Sequence, residues 1–316
     1  MTEPIWPKIS IITPSYNQSA FLEQTILSVL GQGYPNLEYI IIDGGSTDNS
    51  VELIKKYEPR LAHWVSEPDR GQAHAINKGF KIASGEILAW INSDDFYLPG
   101  ALALVARRLD TKNAELLFGN CLHFVQGQSE AYGSDVRMEH GRRDLQLTDY
   151  VIQPSSFWTR KAWLQTGELD DSLHFGFDWE WFIRARKAGV AFKPEQSYLS
   201  AYRFHEDHKT GMGGERRFKE LAAIYGRHAG AKYERLFLQC CSARRRIAFS
   251  RKWLGRSRLS TWESMLLKVG FPLLFHGFRQ SEIGDIMTML STASGYKGGT
   301  ANDSKNKQLS EARYSK

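Results

Sequence analysis

The chain has 316 residues, 42% hydrophobic and 24% charged, an ordinary globular composition that excludes a disordered or fibrous protein and fits two domains, or one large α/β domain with an appendage. Three cysteines, two of them adjacent (Cys240, Cys241) and Cys121 distant, exclude a disulfide scaffold and a CxxC metal site, so a reducing, cytoplasmic compartment is the default expectation. The net charge of +6 divides unevenly: residues 1–215 carry 21 Lys+Arg against 28 Asp+Glu, and residues 216–316 carry 20 against 7.

The N-terminal Met1-Thr2-Glu3-Pro4 has neither the basic start nor the apolar run of a secretory signal. Lys8 to Thr13 is a β-branched run ended by Pro14, which predicts a buried strand. Phe21, Leu22, Ile26, Leu27, Val29 and Leu30 then recur at helical spacing until Gly31, Gly33 and Pro35 stop them. Tyr39–Ile42 predicts a second strand, ended by Asp43-Gly44-Gly45, and Ser46-Thr47-Asp48 opens a helix carrying Val51, Ile54 and Tyr57. Trp64-Val65 starts a third strand, a helix follows over about 73–83, and Ile87–Ile91 forms a fourth strand. Continuous apolar strands separated by helices imply a mainly parallel sheet covered on both faces.

Further on, Glu115–Asn120 and Leu122–Val125 read as paired strands, and Val151–Trp158 as a strand feeding a helix. Asp178 begins a helix that continues to Gly189, and Tyr198–His205 reads as a final strand. After about Arg216 the sequence is helical and basic, and from Ser291 it is rich in Ser, Gly, Asn and Lys, which predicts a disordered tail. The expected organisation is therefore a body over 1–215, a basic helical extension over 216–290 and a tail over 291–316.

Ligands of such a sheet bind beyond the carboxyl ends of its strands. Four polar clusters gather there: Pro14-Ser15-Tyr16-Asn17, Asp43-Gly44-Gly45-Ser46, Glu67-Pro68-Asp69-Arg70-Gly71 and Asn92-Ser93-Asp94-Asp95. Adjacent carboxylates repel unless a cation or donors offset them, so Asp94-Asp95 suits Mg²⁺ or Mn²⁺ on a diphosphate, or else a turn with capping aspartates. Asp43 is placed to accept a nucleobase N–H or to make an Asp-Gly turn, while Arg70 and Lys78 stand near a phosphate position or simply on the surface. Asp178, between Phe177 and Trp179, suits a general base whose pKa an apolar setting raises, or a helix N-cap.

Taken together, Ile11–Asn17, Leu27–Leu30 with Gln32, Ile41–Asp48, Glu67–Gly71, Asn77-Lys78-Gly79, Ala83–Glu86 and Asn92–Asp95 fall in the order seen in family 2 glycosyltransferases. Asp178–Trp181 and Tyr202–His205 resemble that family's base motif and its closing Arg/His segment. The resemblance spans about residues 8–210. It implies a GT-A fold and an inverting transferase of the hexosyltransferase class, using a nucleotide-diphospho-sugar and Mn²⁺ or Mg²⁺. Carried over by position, Pro14, Tyr16 and Asp43 line the base pocket, and Asn17, Arg70 and Lys78 lie on the donor side. Asp94 matches the ribose-side acid, Asp95 the metal ligand of the DXD motif, and Asp178 the base, with Glu180 as its competitor. Arg203 and His205 match the segment that closes over diphosphate or metal. One departure is Asn92, where many relatives carry Asp.

The rival readings are a nucleotidyltransferase, which would want a Gly-rich phosphate loop in place of Pro14–Asn17, and a non-catalytic sugar-nucleotide binder, which would not need Asp95 and Asp178. The resemblance makes a saccharide or lipid-linked acceptor the default, with surface polysaccharide or glycolipid synthesis as the setting and no nucleic acid. In the tail, Arg244-Arg245-Arg246, Arg251-Lys252, Arg256 and Arg258 are interleaved with Trp253, Leu254, Leu259 and Trp262 and followed by Leu266 to Phe278. That composition suits peripheral attachment to an anionic membrane face, or else packing of a helical appendage on the body or a dimer contact. The Met265–Phe278 stretch, broken by Lys268, Pro272 and His276, is too short to span a bilayer.

Overall fold

The structure is a computed structural model, and it describes residues 6–205, 209, 214–253 and 267–293. The first half alternates strand and helix: β1 (Ile9–Ser15), α1 (Ser19–Leu30), β2 (Leu37–Asp43), α2 (Ser50–Tyr57), β3 (His63–Ser66), α3 (Gln72–Ile82) and β4 (Ile87–Trp90). These four strands pair with one another in parallel, in the order β3-β2-β1-β4. Successive residues of β1, β2 and β4 face opposite ways. Ile12, Ile40, Ile42, Leu88 and Trp90 therefore enter one core, and Ile9, Ile11, Tyr39, Ile41, Ile87 and Ala89 the other. Gly79 on α3 lets that helix lie close on β1, because a Cβ there would come within 2.5 Å of Ile12.

The second half is mixed: β5 (Phe96–Tyr97), α4 (Ala101–Arg108), β6 (Glu115–Val125), β7 (Ala131–Gly133), α5 (Val136–His140), β8 (Ser156–Thr159), α6 (Arg160–Thr166), α7 (Phe177–Lys187) and β9 (Ala191–Phe204). It completes a nine-stranded sheet in which β8 runs antiparallel to β4 and β6, while β9 runs parallel to β6 and antiparallel to β5. The segments 115–120 and 122–125 are one strand, not a pair. No turn residue separates them, and what interrupts the pattern is a register irregularity against β9 around Asn120. The expected strand at 151–158 starts only at Ser156, after a 3-10 turn over Gln153–Ser155. The final strand begins seven residues earlier than Tyr198, at Ala191.

An aromatic cluster of Phe80, Trp90, Trp158, Trp163 and Trp181 joins α3, β4, β8, α6 and α7, with ring centroids 4.5–6.4 Å apart. It fixes α7, and so its first turn, against the end of β4. Rings packed this way add to the burial of their large area.

The extension contains α8 (Gly214–His228), α9 (Ala231–Trp253), α10 (Pro272–Phe275) and α11 (Gln280–Ala293). It does not form a separate core. Phe218, Leu221, Ile224 and Tyr225 of α8, Leu236 and Phe237 of α9, and Ile283 and Ile286 of α11 are buried in the same cluster as Phe177, Trp179 and Trp181. Glu220 accepts the backbone N–H groups of His174, Phe175 and Gly176, and Asp285 holds Arg143. The expected tail boundary at 291 falls inside α11; residues 294–316 and the tail residues Leu254, Arg256, Arg258, Leu259, Trp262 and Leu266 lie outside the described residues. Among the described residues no helix is long and apolar enough to cross a membrane.

Candidate active site

The carboxyl ends of β1, β2 and β4 bring three of the polar clusters together, as parallel strands must. Asn17, just past β1, has φ 51°, a left-handed conformation that Asn tolerates better than most residues. Its amide oxygen accepts the Thr47 N–H (2.8 Å) and its own N–H donates to Ser46 Oγ (2.8 Å). The loops after β1 and β2 are thereby locked to one another. Asp43 is fully buried and accepts from the N–H groups of Gly45 and Ser46 (3.1 and 2.8 Å) and the hydroxyls of Ser46 and Ser66 (2.5 and 2.7 Å). Four donors match the acceptor capacity of a carboxylate, so in this structure Asp43 shapes the loop rather than facing outward. Pro14 is buried, whereas Tyr16 stands 61% exposed above the loop. Gly44 lets Asp69 approach, since a Cβ there would lie 2.7 Å from Asp69 Oδ2.

At the end of β4 the two adjacent aspartates separate. Asp95 is buried; it accepts the backbone N–H of Arg203 (3.1 Å) and the Asn92 amide (3.3 Å). Burial, then the neighbouring Asp94 charge, push its pKa well above the usual carboxylate range. Asp94 keeps some exposure, and its Oδ2 meets His205 Nε2 at 3.1 Å. The accessible acid of this edge is thus Asp94, with the nearly buried His205 bound to it and Asp95 standing behind. Among the described residues no three His, Cys, Asp or Glu side chains form an ion cage. One carboxylate and one imidazole fit Mn²⁺ or Mg²⁺ only if diphosphate and water complete the shell, which is how such ions are commonly held.

Arg203 and the two candidate phosphate cations are differently placed from the sequence expectation. Arg203 is 5% exposed, donates to the Asp94 carbonyl (2.9 Å), Gln24 (2.5 Å) and Gln126, and lies over the rings of Phe21, Phe96 and Phe124. Its side chain pegs β9 to the Asp94-Asp95 turn. Arg70 is ion-paired with Asp171, and Lys78 with Glu67. Each therefore enters the site already bound to a carboxylate.

A chain of amides crosses the cleft. Gln153 Nε2 donates to the Trp90 carbonyl (2.8 Å), Asn92 Nδ2 donates to Gln153 Oε1 (3.2 Å), and Gln72 Nε2 donates to Asn92 Oδ1 (2.7 Å). Lys209 Nζ donates to Gln72 Oε1 (3.0 Å) and lies over the Phe177 ring. Burial lowers the Lys209 pKa to about 8 against the opposing pull of Asp178 and Glu220. Asn92 is accounted for by this chain: it supplies a donor to both Asp95 and Gln153, which a carboxylate could not.

The chain ends at the first turn of α7, where Asp178 and Glu180 point to different surroundings, being two residues apart on a helix. Glu180 is 1% exposed and is held by Arg184 (2.9 Å) and His228 (3.0 Å), with Arg227 at 3.6 Å. Burial pushes its pKa up, but the bonds from His228 and Arg184 outweigh this and hold it below the usual value. Asp178 accepts the Trp179 N–H (2.8 Å). Burial raises its pKa, offset in part by Arg217 and Lys209. Asp149, which no sequence motif singles out, is raised by burial and by the Asp178 charge. Asp149, Arg217, Lys209 and Gln72 are the site residues that sequence reading missed. They lie far apart in the chain, and only the docking of α8 and the loop before β8 assembles them.

The profile of Glycosyl transferase family 2 matches residues 10–167. An uncharacterized glycosyltransferase of Mycobacterium tuberculosis is 41% identical over 223 residues, covering 70% of this chain and 81% of that protein. Glycosyltransferase GlyG of Streptococcus pneumoniae is 28% identical over 178 residues, covering 53% and 59%. Among solved structures, S. aureus TarS 1-349 in complex with UDP superposes with a TM-score of 0.56 at 16% identity, covering 93% of this chain and 92% of that one. Mannosyltransferase PcManGT from Pyrobaculum calidifontis, in complex with GDP-Man and Mn²⁺, gives 0.58 at 17% identity, covering 92% and 88%. These neighbours share the curled α/β sheet of the GT-A glycosyltransferases. With its profile match, its mycobacterial relative and this shared sheet, the chain belongs to glycosyl transferase family 2.

Proposed function

We propose that this chain is an inverting hexosyltransferase, moving a sugar from a nucleotide-diphospho-sugar to an acceptor hydroxyl with Asp178 as the base. The observation that carries the assignment is the division of labour on α7: Glu180 is locked in an ion network, while Asp178 is a carboxyl of raised pKa joined by Lys209 and Gln72 to the aspartate edge. The loops after β1 and β2 hold the nucleobase, with Tyr16 as an exposed aromatic face and Asp43 shaping the pocket. Asp94 and His205 would hold a divalent cation, with Asp95 positioning them from behind through Arg203. Mn²⁺ or Mg²⁺ bound there supplies positive charge to the departing diphosphate.

In the transfer, the acceptor oxygen bonds to the anomeric carbon as the bond to the diphosphate oxygen breaks, and the hydroxyl proton passes to Asp178. A single displacement inverts the anomeric centre. An apolar pocket raises a carboxyl toward neutral pH, which improves its action as a base. A saccharide or lipid-linked acceptor in surface polysaccharide or glycolipid synthesis is the expected substrate class.

The test is a panel of UDP- and GDP-sugars with Mn²⁺, read by nucleoside diphosphate release for the wild type and D178N. Release by the wild type and its loss in D178N support the assignment. Release of pyrophosphate would indicate nucleotidyl transfer instead, and binding without turnover a sugar-nucleotide receptor.

A further inference from the structure

The surface of the extension carries a feature that sugar transfer does not use. Along α9, Lys232, Arg235, Leu238, Gln239, Ser242 and Arg245 are all exposed, and at 100° per residue they fall on one face of the helix. The opposite face, with Leu236, Phe237, Cys240, Cys241 and Ile247, is buried. The helix has one acid, Glu234, and its carboxylate turns toward α8, where a Cβ at Gly226 would meet it at 2.4 Å. The outer face thus carries cations and no acid.

In the segment that follows, two apolar side chains have little cover: Leu273 is 97% exposed and Val269 72%. Leu273 borders a hollow of about 340 Å³ together with Lys232, Arg235, Gln239 and His276. The neighbours Leu267 and Phe275 are buried, and Phe278 packs on Tyr233. Packing of the appendage therefore accounts for some of this apolar segment and leaves Val269 and Leu273 outside it.

We infer that the outer face of α9, with Val269 and Leu273, docks on an anionic lipid surface. Isolated apolar knobs among exposed cations, with no acid on the face, suit a headgroup layer, where cations meet anionic phosphates and the knobs enter the acyl boundary. The charge division supports this occupant: a body of net negative charge is repelled by the same surface that attracts the basic extension, so the protein would settle in one orientation. That orientation serves the site. Arg244 lies over the Phe218 ring on the inner side of α9, and the adjacent Arg217 interacts with Asp178 and Asp149. The docking helix is thus connected to the base through α8.

The test is co-sedimentation of the full chain with phosphatidylcholine vesicles and with vesicles containing one third phosphatidylglycerol, at low and high salt. Partition onto the anionic vesicles alone, with release by high salt, is expected. V269E/L273E and R235E/R245E should each weaken that partition at least tenfold while leaving nucleoside diphosphate release from the donor unchanged, since none of the four residues belongs to the site. Equal partition onto both vesicle types, none onto either, or partition unaffected by both double variants overturns the inference. A concentration-dependent dimer in sedimentation velocity that V269E/L273E dissociates would also overturn it, showing the face covered by a second copy. Donor turnover is read separately, so loss of docking and failure of the transferase assignment are distinguishable.

Discussion

Exchanging the charge of each α7 carboxylate in turn separates the base from the scaffold. Glu180→Gln keeps the shape of a side chain that is 1% exposed but removes the charge facing Arg184, His228 and Arg227. A hydrogen bond to a charged group contributes about 1.5–3 kcal/mol, and breaking a fully buried ion pair costs about 3–5 kcal/mol. Here Arg184 retains 27% and Arg227 48% side-chain exposure, so water recovers part of the loss and about 2–3 kcal/mol is expected. For a domain of this size that corresponds to a fall in Tm on the order of 5–10 °C. Turnover below the melting range should change little. Asp178→Asn should do the reverse. Burial opposes the Asp178 charge, so a neutral amide leaves Tm unchanged or raised, while turnover falls roughly 10²- to 10⁴-fold, the contribution of a general base. Differential scanning calorimetry and nucleoside diphosphate release, on both variants, measure the two axes. A Glu180→Gln variant inactive at unchanged Tm, or Asp178→Asn retaining more than about a tenth of turnover, a loss under about 1.4 kcal/mol, would refute the assignment.

The same geometry sets three further outcomes. Asp94→Ala removes an accessible ligand and should abolish Mn²⁺ binding, whereas Asp95→Asn, acting from behind, should weaken it about 10- to 100-fold; Mn²⁺ titration by electron paramagnetic resonance ranks them, and equal losses would place Asp95 directly on the ion. Asn92→Asp sets a second carboxylate against buried Asp95 and removes the donor to Gln153, so it should cost about 1–3 kcal/mol in urea unfolding, partly restored by Mn²⁺. Transfer should have an acid limb above the ordinary aspartate range, because burial raises both Asp178 and Asp149. The sign for stability is opposite: a buried carboxyl with a raised folded pKa costs stability when ionised, so protonation on lowering pH through that range stabilises the fold. A pH–rate profile whose acid limb stays in the ordinary aspartate range in the wild type would exclude this pair as its origin.

Much of the first half was legible because every level agreed. Apolar runs such as Tyr39–Ile42 end in Asp-Gly or Asn-Ser, helical periods lie between them, and parallel pairing then collects the polar ends on one edge. The second half resisted for identifiable reasons. The irregularity at Asn120 imitates a hairpin break inside one long strand, and the strand 191–204 carries near its start Lys193-Pro194-Glu195, residues of low strand propensity held by pairing to β6. At the site, the motif placed Asp94 and Asp95 together but could not say which is exposed. That depends on the Arg203 backbone, 108 residues away. Arg70 and Lys78 read as phosphate cations because Asp171 and Glu67 are partners that only the folded chain supplies.

The bridge from Trp90 through Gln153, Asn92 and Gln72 is made of carboxamides, which neither gain nor lose protons between pH 3 and 10 as carboxyls, imidazoles and amines do. A relative with Asp at position 92 would carry a titrating group in the middle of this bridge, so acidification would change both its catalytic proton balance and the wiring between its two halves. In this chain the stretch from Trp90 to Gln72 is electrically neutral, and the first titrating group beyond it is Lys209 at the acceptor end. The acid limb of its activity should therefore report the carboxyls at the acceptor side without a contribution from the central bridge, and that makes it a cleaner subject for assigning a proton acceptor by titration than a family member built with the carboxylate.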